Sequence, residues 1–239
     1  MAILGKTKGG ARSVGAPPKR SRGILHDLRI FLARTPAIPT LIKASDPDTR
    51  EDYIQRIRQR LGISVAGYGV LNLHRIGIEA PGRLAFEELL TWHDASSWWP
   101  NHLATVHRVE DGIERIRMFL FGTRGSSIPL FRLNAIRLQR DPGVGDFDNA
   151  RYVLYETSGG YPVGIFGIFV RSRIADRGED EDSQLFFAVG FNFYGKKDWP
   201  HRHVINPVWE WVHNRATANI LNRFKRVCEW RFAQLGEGL

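Results

Sequence analysis

Residues 206–235, NPVWEWVHNRATANILNRFKRVCEWRFAQL, contain no helix breaker after Pro207 and are followed by Gly236. Asn then Pro reads as an N-cap with proline at the first helical position, so the sequence predicts one helix of about eight turns. At about 100° per residue, Trp209, Val212, Ala216, Ile220, Phe224 and Val227 fall on one face, and Arg215, Asn222, Lys225, Arg226 and Glu229 fall opposite. A stripe that long needs a wide apolar surface, which a preceding antiparallel sheet supplies. Cys228 lies at the edge of the stripe and reads as core, not as a nucleophile.

The sheet is legible upstream. Runs rich in β-branched and aromatic residues are predicted as strands at 65–79, 103–110, 113–121, 130–140, 152–157, 163–174 and 184–194, with a short helix at 84–92. The joints EDG, DPGVGD, SGGYP and DRGEDEDS are short and carry turn residues, which argues for an antiparallel meander. Alternation puts Leu185, Phe187, Val189, Phe191 and Phe193 on one face, and Ile116, Met118 and Leu120 on another. Glu156 shares a face with Tyr152 and is expected outward, and Arg108, Arg115 and Arg117 are expected in solvent.

The first part of the chain differs in kind. Residues 1–23 are rich in Gly, Ser, Pro, Lys and Arg and read as a disordered basic tail. Of the net +9, six charges lie before residue 27, so the body is only mildly basic. That weakens a nucleic-acid reading, as does the absence of zinc-finger, helix-turn-helix, KH or RRM signatures, and no specific nucleic-acid partner is expected. The tail remains free to touch an anionic membrane surface. Residues 24–34 have helical spacing and stop before Pro36; they read either as a helix packed on the domain or as an interfacial anchor. A further helix is expected at 48–61, capped by Ser45 or Asp46 and ended by Gly62. Residues 24–63 are thus expected to be a helical extension, and 64–235 the main domain.

A single cysteine permits no intrachain disulfide, and MAILGKTKGG offers no signal-peptide core. The expectation is a cytoplasmic protein, peripheral to membranes if the tail binds them. The acid-free start also resembles an organelle transit peptide, if the source is eukaryotic.

Three stretches, FEELLTWHDASSWWP, YETSGGYPVGIFGIF and NPVWEWVHNRATANILNRFKRVCEW, occur in the order strand, short helix, meander, long helix. In this the chain resembles the START or helix-grip (SRPBCC) superfamily, in its polyketide cyclase/dehydrase-like branch. The resemblance implies an α+β helix-grip fold: a curved antiparallel sheet wrapped around a long C-terminal helix, with two short helices after the first strand. It also implies an apolar cavity between sheet and helix that holds a lipid or other hydrophobic small molecule. The alternatives are a cyclase- or dehydratase-like enzyme, working without metal, and a module tethered to a membrane or protein by its first 34 residues.

The expected cavity residues are Trp98, Trp99, Met118, Tyr155, Phe187, Val189, Phe191, Trp209, Val212, His213, Ala216 and Ile220. His213 falls within the apolar stripe and reads either as a hydrogen-bonded core histidine or as a ligand contact and general acid/base. It and Tyr155 are the candidate catalytic groups. In HDASSWWPNH, residues 93–102, the paired tryptophans are expected to wall or gate the cavity mouth. His201 and His203 have H-x-H spacing without a third ligand, so no metal is expected. No cofactor is expected either: there is no G-x-S-x-G, Walker A or G-x-G-x-x-G context, and GGYPVGIFG lacks a following helix.

Overall fold

Turn chemistry and alternation fold the middle of the chain into one antiparallel sheet. A computed structural model describes residues 41–43, 46–94, 104–120, 128–141, 150–159, 163–173, 182–192 and 198–236. The elements in chain order are β1 (Leu41–Lys43), α1 (Pro47–Leu61), β2 (Val70–Ile78), α2 (Gly82–Leu89), β3 (Ala104–Glu110), β4 (Ile113–Leu120), β5 (Ile128–Asp141), β6 (Ala150–Gly159), β7 (Val163–Arg173), β8 (Asp182–Asn192) and α3 (Asn206–Gly236). Among the described residues the strands lie in the order β1-β2-β8-β7-β6-β5-β4-β3. Strands β3 to β8 are the expected meander, and β2 closes onto β8 with Val70 opposite Phe191 and Ile78 opposite Ser183. Register shifts at Arg108/Glu110, Met118/Phe119 and Arg137/Gln139 sit in β3, β4 and β5, and such bulges bend a sheet.

The apolar stripe of α3 lies on the inner face of this sheet. Phe224 and Cys228 are fully buried there, packed with Ala85 and Phe86 of α2 and with Ile76, Val170 and Leu185 of the sheet. Lys225 and Glu229, expected opposite the stripe, flank it: the Lys225 ammonium donates to the Gly77 carbonyl (3.0 Å), and Glu229 accepts the Glu79 N–H (3.0 Å). These bonds tie the helix to the end of β2. A second tie joins Arg231 to the buried carboxylate of Glu88 on α2.

Several expectations need correction. The sheet is covered on both faces: Tyr53, Ile54 and Ile57 of α1 pack on the outer face against Leu71, Leu154 and Ala188. Burial on two faces explains why β7 and β8 are apolar nearly throughout, a pattern that simple alternation does not produce. The extension is also not wholly helical, since β1 adds a strand beside β2, with Leu41 opposite His74. Helix α1 itself follows its signals: Asp46 caps the Thr49 N–H (2.8 Å), and Gly62 ends it at φ 69°, where a Cβ is unfavourable.

The strand predicted from residue 65 starts at Val70, because the preceding residues turn under side-chain hydrogen bonds. Asn192 accepts from the Gly69 N–H (2.7 Å) and donates to the Gly67 carbonyl (3.1 Å), while Arg50 donates to the Tyr68 carbonyl. At the other end, Asn206 is not an N-cap: its φ −62°, ψ −43° are helical. The cap is Asp198, whose carboxylate accepts the His201 N–H (3.0 Å). Between them His201–Ile205 form a π-helical turn. Pro207 has no N–H to give to an i−4 carbonyl, so a widened turn just before it costs little.

The basic tail, the segment 24–34, Trp98, Trp99 and Phe193 lie outside the described residues, and of the two short helices expected after the first strand of the grip the described residues contain α2. No helix among the described residues is long and apolar enough to cross a membrane.

Candidate functional site

Between the inner face of the sheet and α3 there is a cavity of about 120 Å³. Strand β8 contributes Phe187, Val189 and Phe191, and α3 contributes Trp209, Val212, His213, Ala216 and Ile220. These are eight of the twelve residues expected there. Of the other four, Trp98 and Trp99 lie outside the described residues, and Met118 lies opposite Ala104 in the β3–β4 pair with its side chain outside them. Tyr155 does not reach the surface of the cavity. It is 2% exposed, stacked on Phe166 (centroids 5.0 Å), with the Trp92 ring at 5.3 Å.

Ile116, on a face that alternation picked out, also lines the cavity, while the sequence reading missed most of the remaining walls. Trp92, Ile116, Leu133 and Phe166 close the end beneath the sheet's bent half. Gly164 and Gly190 form part of the floor, where adjacent strands approach too closely for side chains: a Cβ on Gly164 would lie 2.5 Å from the Gly190 carbonyl oxygen and 2.7 Å from the Phe191 Cβ. The Thr157 hydroxyl locks this place by accepting the Gly164 N–H (3.0 Å) and donating to the Gly164 carbonyl (3.1 Å). A third miss is polar. Period two along VLNLHRIGI sets Asn72 and His74 on the same inward face as Val70, Ile76 and Ile78, and both are buried.

His213 from α3 and His74 from β2 meet there, with ring centroids 6.4 Å apart. Phe187 stacks parallel to His213 at 6.4 Å, and Phe191 lies against it at 5.2 Å. The Asn72 amide donates to the Asn214 carbonyl oxygen (2.9 Å), and the Thr217 hydroxyl lies 3.4 Å from His213 Nδ1. Burial holds both imidazoles neutral. His74 is pushed down to about 4 and His213 to about 3, the latter also by its proximity to His74; hydrogen bonding to Asn214 opposes both shifts. His74 Nε2 is buried with no hydrogen-bond partner.

A second polar group lies beside Trp92. Glu114 is 1% exposed, and burial raises its pKa against the opposing charges of Arg108 and Arg137 and a hydrogen bond from Trp92. Burial likewise pushes up the Tyr155 hydroxyl, assisted by Glu114. Neither Glu114 nor Tyr155 lines the cavity; the Trp92 indole, which does, bonds Glu114 and lies against the Tyr155 ring. At the start of the long helix, His201 turns to the Asp198 carboxylate while His203 lies against Trp199 (5.2 Å), so the H-x-H pair does not converge. No group of three metal-ligating side chains occurs among the described residues.

A meander closed by its first strand, gripping one long helix over an apolar cavity, decides the architecture. The fold is a helix grip. No family model and no curated protein matches the sequence. The grip is similar to a conserved protein from Geobacillus kaustophilus, at 9% identity and TM-score 0.44 over 66% of this chain and 94% of that one. It is also similar to the lipid transfer and protein localization domain of human StarD13, at 11% identity and TM-score 0.39 over 66% and 78%. A third similar structure is norcoclaurine synthase from Thalictrum flavum, at 11% identity and TM-score 0.39 over 66% and 86%.

Proposed function

We propose that this protein binds a hydrophobic small molecule in the cavity between its sheet and α3. The observation that carries the reading is the cavity itself, whose walls are aliphatic and aromatic apart from His213 and two threonines. Binding is driven by apolar burial, at about 25 cal/mol per Å². The volume, about 120 Å³, is close to that of an engineered cavity of roughly 150 Å³ that accepts benzene, which argues for a ligand of about one ring.

A cyclase- or dehydratase-like activity has less support. A general acid or base works best with a pKa near the working pH, whereas His213 sits near 3, and neither Tyr155 nor Glu114 lines the cavity. The tether reading rests on residues outside the described ones.

The experiment is a toluene titration of the full chain, followed by tryptophan fluorescence, since Trp92 and Trp209 line the cavity. Saturable quenching is expected in the wild type and its loss in Ala216→Phe, which fills the space. Native mass spectrometry of freshly purified protein provides the second readout. No quenching and no co-purified ligand would refute the proposal.

A further inference from the structure

The wall chemistry narrows what such a cavity accepts, on the reading that it is a binding site. No Asp, Glu, Lys or Arg is among the described residues that line it. An ion placed there finds no countercharge among those residues, and burying one unpaired is strongly unfavourable. The buried carboxylates Glu114 and Glu88 do not line the cavity, and they already face Arg108 with Arg137 and Arg231 respectively. Among the described lining residues a carboxylate ligand therefore has no cation to pair with.

Among the described lining residues, side chains that can both donate and accept are confined to one place; the indoles of Trp92 and Trp209 only donate, and that of Trp92 bonds Glu114. Thr157 is occupied by both backbone groups of Gly164, which leaves His213 with Thr217, one helical turn apart and 3.4 Å from hydroxyl to ring nitrogen. Both are neutral and each donates and accepts, according to the tautomer of the ring. A ligand hydroxyl, itself donor and acceptor, matches that pair in either tautomer; a purely apolar ligand makes no hydrogen bond with it. Phe187 stacked parallel to His213 and Phe191 tilted against it give the same spot aromatic sides suited to a ring.

We propose that the cavity takes a neutral single-ring molecule bearing one hydroxyl group, held by His213 and Thr217, and that it rejects carboxylates of the same size. The suppressed basicity of His213, near 3, agrees, since no imidazolium is present at neutral pH to hold an acid.

The test compares phenol, toluene and benzoate at pH 7 with the full chain, using tryptophan fluorescence and calorimetry. In a dry cavity without a polar partner, phenol binds more weakly than toluene, because its hydroxyl loses water and gains nothing. Here phenol is expected to bind at least as tightly as toluene, and benzoate at least a hundredfold more weakly. In His213→Phe the ratio of toluene Kd to phenol Kd is expected to fall tenfold or more. In His213→Gln, which keeps a donor and an acceptor, it holds within about threefold. Should the Phe variant fail to fold, the three ligands on the wild type decide the matter. Toluene binding tighter than phenol, or benzoate matching phenol, overturns the inference and leaves the cavity as a binding site. Failure of all three ligands to bind overturns that reading as well.

Discussion

Replacing His74 by glutamine probes the polar cluster from the side away from the ligand. His74 is 3% exposed and its pKa is pushed from 6.5 to about 4, chiefly by burial. In the unfolded chain the same residue titrates near 6.5. Between those values the unfolded state binds a proton that the folded state refuses, so stability is complete above pH 6.5 and falls as the pH drops toward 4. At pH 5 the unfolded residue is about 1.5 units below its pKa, and at 1.36 kcal/mol per unit this amounts to about 2 kcal/mol lost relative to pH 7. That is a sizeable share of a typical total of about 5–15 kcal/mol. His213 adds a loss of the same sign, and removing His74 relieves part of its suppression, which widens the difference between the proteins. The assay is urea unfolding at pH 7 and pH 5 for wild type and His74→Gln. The wild type should lose about 2 kcal/mol more than the variant over that interval. Every titrating group other than His74 and His213 is common to both proteins and cancels. Equal losses, or a larger one in the variant, would refute the placement of His74 as a buried neutral imidazole.

Gly164→Ala sets a Cβ against the Gly190 carbonyl and Phe191, and should lower unfolding stability by about 1–3 kcal/mol in denaturant melts, with weaker toluene binding. Arg231→Ala removes the charge facing the buried Glu88 carboxylate and should cost about 1–3 kcal/mol, recovered in part by Glu88→Gln in the same chain. Cys228 is fully buried and burial raises its thiol pKa, so a thiol reagent should label it only at the rate of unfolding; fast labelling of native protein would contradict its position.

Much of this was legible before any coordinates. The length and stripe of α3 demanded a broad apolar partner, and alternation in LFFAVGF placed Phe187, Val189 and Phe191 on the wall that faces it. What escaped depends on contacts distant in sequence. The outer cover provided by α1 left a trace only as excess apolarity in β7 and β8, which period-two reading treats as noise. Asp198 lost to Asn206 as the expected cap because Asn-Pro is the stronger local signal, although Asp-x-Pro stands eight residues earlier. His74 was within reach, since period two along VLNLHRIGI puts it on the same face as Val70 and Ile76. A lone histidine in a strand gave no hint that a second one would meet it from α3.

The pairing of β2 with β8 has a consequence in time. Val70 finds Phe191 only after the whole meander has been made, so during synthesis an apolar strand waits with one hydrogen-bonding edge open. Its partners nearer in sequence are β1, which occupies the opposite edge, and α1, which shelters Leu71 from the outer side. The extension thus acts as an early escort for the strand that must be joined last, and a chain lacking it would face that wait uncovered.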